Sequence, residues 1–304
     1  MIDAYFYGSN TRNSPEAPVP IINLEKKEQR LGGAANVALN IKALGATPIL
    51  CSIVGPDNNG AQLQSLLKKE SLSTKGIVVD ESRCTTVKTR VIGNNQHYLR
   101  IDEEETDLIN HNVENQLFTT ISSLIQTADV LIFQDYNKGV LSPNLIKSVT
   151  QLCNDSNVPI VVDPKYDQFF DYQNCTLFKP NRKEIVEAYQ LKEEENHDIQ
   201  SLAQRLRKDL NAKNVMTTLS KEGVLILNDQ EKHHLPAHPR NILDVSGAGD
   251  SVLSVAALCV ALKLPNPTIA GLANLAGGLV CEKIGVVPID KAQLLGEAIR
   301  LEIG

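Results

Sequence analysis

The chain has 304 residues, 42% hydrophobic and 22% charged, with a formal net charge of −6, a profile that fits one large α/β domain. The acidic balance, the lack of Trp and an aromatic content of 4% argue against nucleic-acid capture but leave room for a small phosphorylated ligand. The first five residues are no signal peptide, and the apolar run at 252–262 is too short to span a bilayer. Cys51, Cys84, Cys153, Cys175, Cys259 and Cys281 have no metal-ligand or redox spacing, so they read as small hydrophobes in a reducing compartment. The expectation is a cytoplasmic protein with no membrane or nucleic-acid partner.

In chain order, residues 18–30 are extended and alternating, and Leu31-Gly32-Gly33-Ala34-Ala35-Asn36 opens a helix running to Gly45. A strand is predicted at 48–54 and an amphipathic helix at 61–69. A second extended stretch, 84–102, contains the turn Gly93-Asn94-Asn95. Helical patterns at 115–127, 143–153 and 199–210 then alternate with β-rich runs at 128–134, 158–163, 176–178, 214–219 and 223–227. Residues 192–198 read as a solvated loop. Such alternation implies βαβ units and a largely parallel sheet, with ligands at the C-terminal strand ends. Polar groups stand at two of those exits, Asp135-Tyr136-Asn137-Lys138-Gly139 and Asp163-Pro164-Lys165. The extended segments, about 12–30 and 84–102, read as a small β lid on a single domain covering 1–304.

Three segments carry chemistry. Asp244-Val245-Ser246-Gly247-Ala248-Gly249-Asp250 is a glycine turn opening onto an apolar helix. The N–H groups of Gly247, Ala248 and Gly249 lack intrahelical partners and, with the helix dipole, can hold an anion. Asp250 would repel a phosphate that was merely bound. It fits phosphoryl transfer, in which it takes a proton while the N–H groups stabilise growing charge. A capped tight turn would also account for the segment taken alone. In the first glycine segment, Gly32 and Gly33 permit close approach to a ligand and Asn36 suits sugar hydroxyls, although a local turn explains them equally. Asn181 and Glu184, three apart after a short strand, make a capping box or else face nucleotide phosphates and order Mg²⁺ through water.

In this order the three segments resemble the ribokinase/PfkB family of sugar kinases over essentially the whole chain. The resemblance implies a ribokinase-like α/β fold: a central, mostly parallel sheet flanked by helices, with a β lid over the sugar. It implies transfer of the γ-phosphoryl group of ATP to a sugar hydroxyl, with Mg²⁺ and also a monovalent cation. By position Asp250 becomes the general base, and Gly247, Ala248 and Gly249 become the anion hole. Asn181, Arg182, Lys183, Glu184, Ser220, Gly223 and Asn274 fall where relatives surround the nucleotide, with Glu184 serving the metal through water. Asp3, Gly32, Gly33, Asn36 and Asp102 fall on the sugar side.

Residues 14–20, 32–39, 135–139 and 244–251 are further similar to a branch of that family, the D-glycero-β-D-manno-heptose-7-phosphate kinases of ADP-heptose and lipopolysaccharide-core synthesis. That likeness implies phosphorylation of the anomeric C1 hydroxyl to give the 1,7-bisphosphate. The existing phosphate needs cations, for which Arg12, Arg90, Arg100, Lys138 and Lys165 are candidates and Arg100 with Lys138 the preferred pair. The alternatives are a ribokinase- or fructokinase-like enzyme of the same family, or a catalytically silent sugar-phosphate sensor. No nucleotidyltransferase HxGH motif is present, so only the kinase reaction is expected. Relatives carry an apolar strand ending in Gly-Asp before the Met-Ile-Asp segment; that strand is expected to be missing here. A homodimer formed through the lids is expected.

Overall fold

The computed structural model describes residues 1–94, 96–192, 197–283 and 285–303. The chain opens with two long strands, β1 (Ile2–Asn13) and β2 (Pro20–Leu31), followed by α1 (Ala34–Ala43). Next come β3 (Ser52–Val54), α2 (Asn58–Lys69), β4 (Ile77–Val79), β5 (Val87–Gly93) and β6 (Gln96–Glu103). Then follow α3 (His111–Ile125), β7 (Leu131–Gln134), α4 (Pro143–Asp155), β8 (Ile160–Asp163), β9 (Leu177–Phe178), α5 (Arg182–Ala188) and α6 (Ile199–Asp209). The last third holds β10 (Asn214–Thr218), β11 (Val224–Leu227), β12 (Lys232–Leu235), α7 (Ala248–Ala261), α8 (Asn266–Val280) and α9 (Lys291–Arg300).

The main sheet has the order β12-β11-β10-β9-β8-β7. Strands β7 to β10 are parallel, and β11 and β12 add antiparallel edges. Its inner strands are apolar on both faces because helices cover both. On β8, Ile160 and Val162 join a core with Phe133, Phe178 and Leu206, whereas Val161 between them joins Leu253, Ala256 and Leu275 on the other side. The same two-residue alternation places Val215 and Met216 of β10 in opposite cores. Helix α7 is apolar nearly all round, from Val252 to Val260, and is correspondingly buried.

The segments expected to form a lid lie in a second sheet of four strands, β2-β1-β5-β6. It is larger than segments 12–30 and 84–102, because β1 pairs along its length with β2 and in parallel with β5. Its root, Ile2, Ala4, Leu31 and Val87, is packed against Ala35, Ala38, Leu63 and Leu67, so polar residues at 3, 5 and 7 alternate onto the opposite face. The strand expected at 48–54 forms only over β3, which pairs in parallel with β4. No described strand joins β3 to β7. Residues 193–196 of the expected loop, and Asn95 of the expected turn, lie outside the described residues. Among the described residues no helix is long and apolar enough to cross a membrane.

Most helices begin on a side-chain cap: Asp57, Asn110, Ser142, Asn181, Asp198 and Asp290 each accept a backbone N–H. Helices α1 and α7 begin instead on Gly33 and Gly247 with no such bond. The two helix starts meet where Asn36, in the first turn of α1, reaches Asp250, in the first turn of α7.

Candidate active site

Gly247 has φ 79°, a left-handed conformation that favours glycine and turns the chain into α7. The N–H of Ala248 is taken by Val245 O at 3.2 Å. Of the three N–H groups expected to form the anion hole, those of Gly247 and Gly249 have no acceptor among the described residues. A side chain at Gly249 would meet nothing within 4 Å, so the approach to this turn is open.

Three residues later Asp250 stands with both carboxylate oxygens engaged. The Asn36 amide donates to Oδ2 at 2.6 Å and the Tyr136 hydroxyl to Oδ1 at 2.9 Å. Burial pushes the Asp250 carboxyl from 3.8 up to about 6. The two donors and Lys179 work against that rise, and Asp163 adds to it. Asp163 ends β8 and Lys179 follows β9; the two form a nearly buried ion pair at 3.1 Å. A carboxylate with this basicity, next to unpaired backbone donors, can accept a proton from a hydroxyl near neutral pH.

Asp3, on β1 of the second sheet, acts electrostatically on the Tyr136 hydroxyl that binds Asp250. Asp3 is buried, and its Oδ1 accepts from Arg90 at 2.6 Å. A Cβ at Gly32 would lie 2.1 Å from Asp3 Oδ2, so only glycine allows this approach. The buried Tyr5 ring has Arg30 and Arg90 within 5.1 and 5.3 Å of its centroid. Arg100 and Lys138 do not touch one another. They are the ends of an ion-pair chain in which Arg100 meets Asp102 at 3.0 Å, Lys88 meets Asp102 and Glu104 at 2.9 Å, and Lys138 meets Glu104 at 2.7 Å. Asp102 thus holds cations in place. Arg12 is exposed near the end of β1.

On the other side of the strand ends the Asn181–Glu184 capping box is complete, with bonds of 2.8 and 2.9 Å. Lys165 pairs with the remaining oxygen of Glu184. A cavity of about 270 Å³ opens here, lined in part by Asn137, Lys165, Tyr166, Phe169, Asn181 and Glu184. Arg182 pairs with Glu222, and Lys183 lies 3.6 Å from Glu187. Ser220 and Gly223 form the turn between β10 and β11, and Asn274 donates to Pro236 O at 2.9 Å. Asp244 accepts from Ser246 N and Gly285 N at 2.9 and 2.8 Å, closing the glycine turn onto the loop after α8.

The sequence reading placed Asn36 on the sugar and gave Tyr136, Asp163, Lys179 and Glu104 no role. Tyr136, Asp163 and Lys179 all stand at the exits of parallel strands. That position was the available signal for them. Glu104 follows a lid strand and had no such signal.

Residues 1–292 match the pfkB family of carbohydrate kinases. The chain is 36% identical over 303 residues to the bifunctional protein HldE of Trichlorobacter lovleyi, covering 99% of this chain and 62% of that protein. Its likeness to the protein of the same name from Helicobacter pylori is 36% over 285 residues, 94% of this chain and 62% of that one. The chain therefore spans about three-fifths of the length of the curated relatives it matches. Phosphofructokinase-2 from Escherichia coli has the same fold. Its complex with potassium superposes with a TM-score of 0.82 at 19% identity, over 99% of this chain and 96% of that one. Its complex with fructose-6-phosphate gives 0.78 at 20% identity, with the same coverage. The chain belongs to the pfkB family of carbohydrate kinases, phosphotransferases whose acceptor is an alcohol group and which generally use ATP with Mg²⁺.

Proposed function

We propose that this chain transfers the γ-phosphoryl group of ATP to the anomeric hydroxyl of D-glycero-β-D-manno-heptose 7-phosphate, giving the 1,7-bisphosphate and ADP on the route to ADP-heptose. The observation that carries the reading is Asp250, with raised basicity, beside the unpaired N–H groups of Gly247 and Gly249. The proton of the sugar hydroxyl passes to Asp250 as its oxygen bonds to the γ-phosphorus. The bond from that phosphorus to the bridging oxygen breaks, and its electrons leave on ADP. Gly247 and Gly249 donate to the transferring group, and the lid excludes water.

Among the described residues no group of three or more His, Cys, Asp or Glu could hold a metal directly, and both oxygens of Glu184 are already engaged. This donor set fits a hydrated Mg²⁺, which Asn181 and Glu184 would hold through water. When bound, the metal neutralises phosphate charge.

Support for a phosphorylated sugar comes from the lid. Arg90 and Arg100 are register partners across β5 and β6, each resting on a carboxylate, Asp3 or Asp102, and two guanidinium groups at one register position suit a dianion. Lys88 and Lys138 flank them. The relatives named HldE support the heptose assignment. We further propose a monovalent cation, a homodimer through exposed Leu24, Leu99 and Ile101 of the lid, and a cytoplasmic location, which agrees with six free thiols. A panel of sugars and sugar phosphates with ATP tests the substrate. Preference for an unphosphorylated sugar would overturn it, and sedimentation velocity tests the dimer.

A further inference from the structure

The hydroxyl of Tyr136 is the only described donor to Asp250 Oδ1, and the loop that presents it is unusually well anchored. Asp135 accepts from Asn137 N at 2.8 Å and from the Tyr172 hydroxyl at 2.8 Å, and its own N–H donates to Asp163 O at 3.0 Å. The Tyr172 ring is fully buried against Phe133 and Phe178. Arg83 donates to Lys138 O at 3.0 Å, and Gly139 accepts from Ile109 N at 2.9 Å. The loop is therefore fixed on both sides of Tyr136, and the phenol meets Asp250 from a rigid support.

We propose that Tyr136 is the positioning residue of the base: its hydroxyl orients the Asp250 carboxylate and holds it ionised, so donor strength at position 136 sets the pH at which the enzyme becomes active. This rests on the reading of Asp250 as the proton acceptor. A carboxylate offers about four lone-pair sites, so Oδ1 can accept from Tyr136 and still take the sugar proton. Burial and the neighbouring Asp250 charge push the Tyr136 phenol up, which keeps it a donor over the working range. Among the described residues the charged groups facing the pair are Asp163, Lys179 on its ion pair, and Asp3 on Arg90. Asn36, from α1, faces it uncharged. None of these changes when only the phenol is altered.

The test compares the pH dependence of kcat/KM for the sugar in wild type, Tyr136→Phe, a ring-fluorinated tyrosine at 136, and Asp250→Asn. Titration of the substrate is common to all four, so differences belong to the protein. Loss of the donor moves the acid limb up by about one pH unit, and activity at pH 6 falls about fivefold further than at pH 8. The fluorinated phenol, a stronger donor, moves the limb down. An unmoved limb in Tyr136→Phe, with Asp250→Asn inactive, overturns the role of Tyr136 alone. Wild-type turnover in Asp250→Asn overturns the assignment of the base, and this inference with it. Thermal unfolding of Tyr136→Phe separates loss of fold from a shifted limb.

Discussion

The side-chain amide of Asn36 donates to Asp250 Oδ2 at 2.6 Å, joining two glycine-started helices that lie 214 residues apart in sequence. Replacing Asn36 by Ala removes a bond to a charged group, worth about 1.5–3 kcal/mol. If that bond orients the base during reaction, kcat/KM falls by about tenfold or more. Steady-state kinetics of Asn36→Ala checks this, and kinetics equal to wild type would separate Asn36 from the chemistry.

Asp250 also links pH to stability. Its folded-state carboxyl, raised to about 6 from 3.8, binds a proton more tightly than it does in the unfolded chain. The stability carried by the protonated group is full below pH 3.8 and is lost as pH rises through about 6. Asn at this position cannot ionise, so Asp250→Asn should be more stable than wild type at pH 8 by up to about 3 kcal/mol and nearly equal to it near pH 4. Urea unfolding at the two pH values measures the difference. Activity follows the opposite sense, since the base must be ionised, and kcat/KM falls with pH below about 6.

How much of this was legible in the sequence depends on the range of the forces involved. The strands at 158–163 and 214–219, the helix starts at Asn181 and Gly247, and the Asn181–Glu184 capping box follow from local pattern, and they formed within a few residues of their expected bounds. What local pattern omits is pairing across the chain. Residues 2–11 look like any polar-alternating stretch, yet β2 and β5 draw them into the centre of the lid sheet. One partner of Asp250 could not be read for the same reason: Tyr136 is 114 residues away and reaches it because α7 begins beside the end of β7. The ion pair of Lys138 likewise depends on Glu104, a residue with no motif around it.

Glu184 sits between the Asn181 backbone and Lys165. Glu184→Gln keeps an acceptor for the cap but removes the charge that orders a hydrated Mg²⁺. Its KM for Mg·ATP should rise by about tenfold or more, as with other partners of metal ligands, while KM for the sugar stays near wild type. A rise confined to the sugar would place Glu184 elsewhere in the reaction.

Arg100 is largely exposed, with 61% of its side chain accessible, so its removal should leave the fold intact. As a phosphate-binding cation it should matter to the sugar. Arg100→Ala is expected to raise KM for the sugar phosphate about tenfold, the effect of losing one charge-assisted bond, with kcat little changed. An unaltered KM would remove Arg100 from the phosphate subsite and leave Arg90, Lys88 and Lys138 to supply it.

The central claim is that Asp250 takes the proton from the anomeric hydroxyl of a phosphorylated heptose. Its most direct measurement is phosphorus NMR of reactions containing ATP, Mg²⁺ and heptose 7-phosphate, with wild type and Asp250→Asn side by side. The account predicts a new phosphate on C1 with wild type, and turnover lower by about 10²–10⁴ with the variant. Phosphate on any other carbon, or comparable turnover in Asp250→Asn, would contradict it.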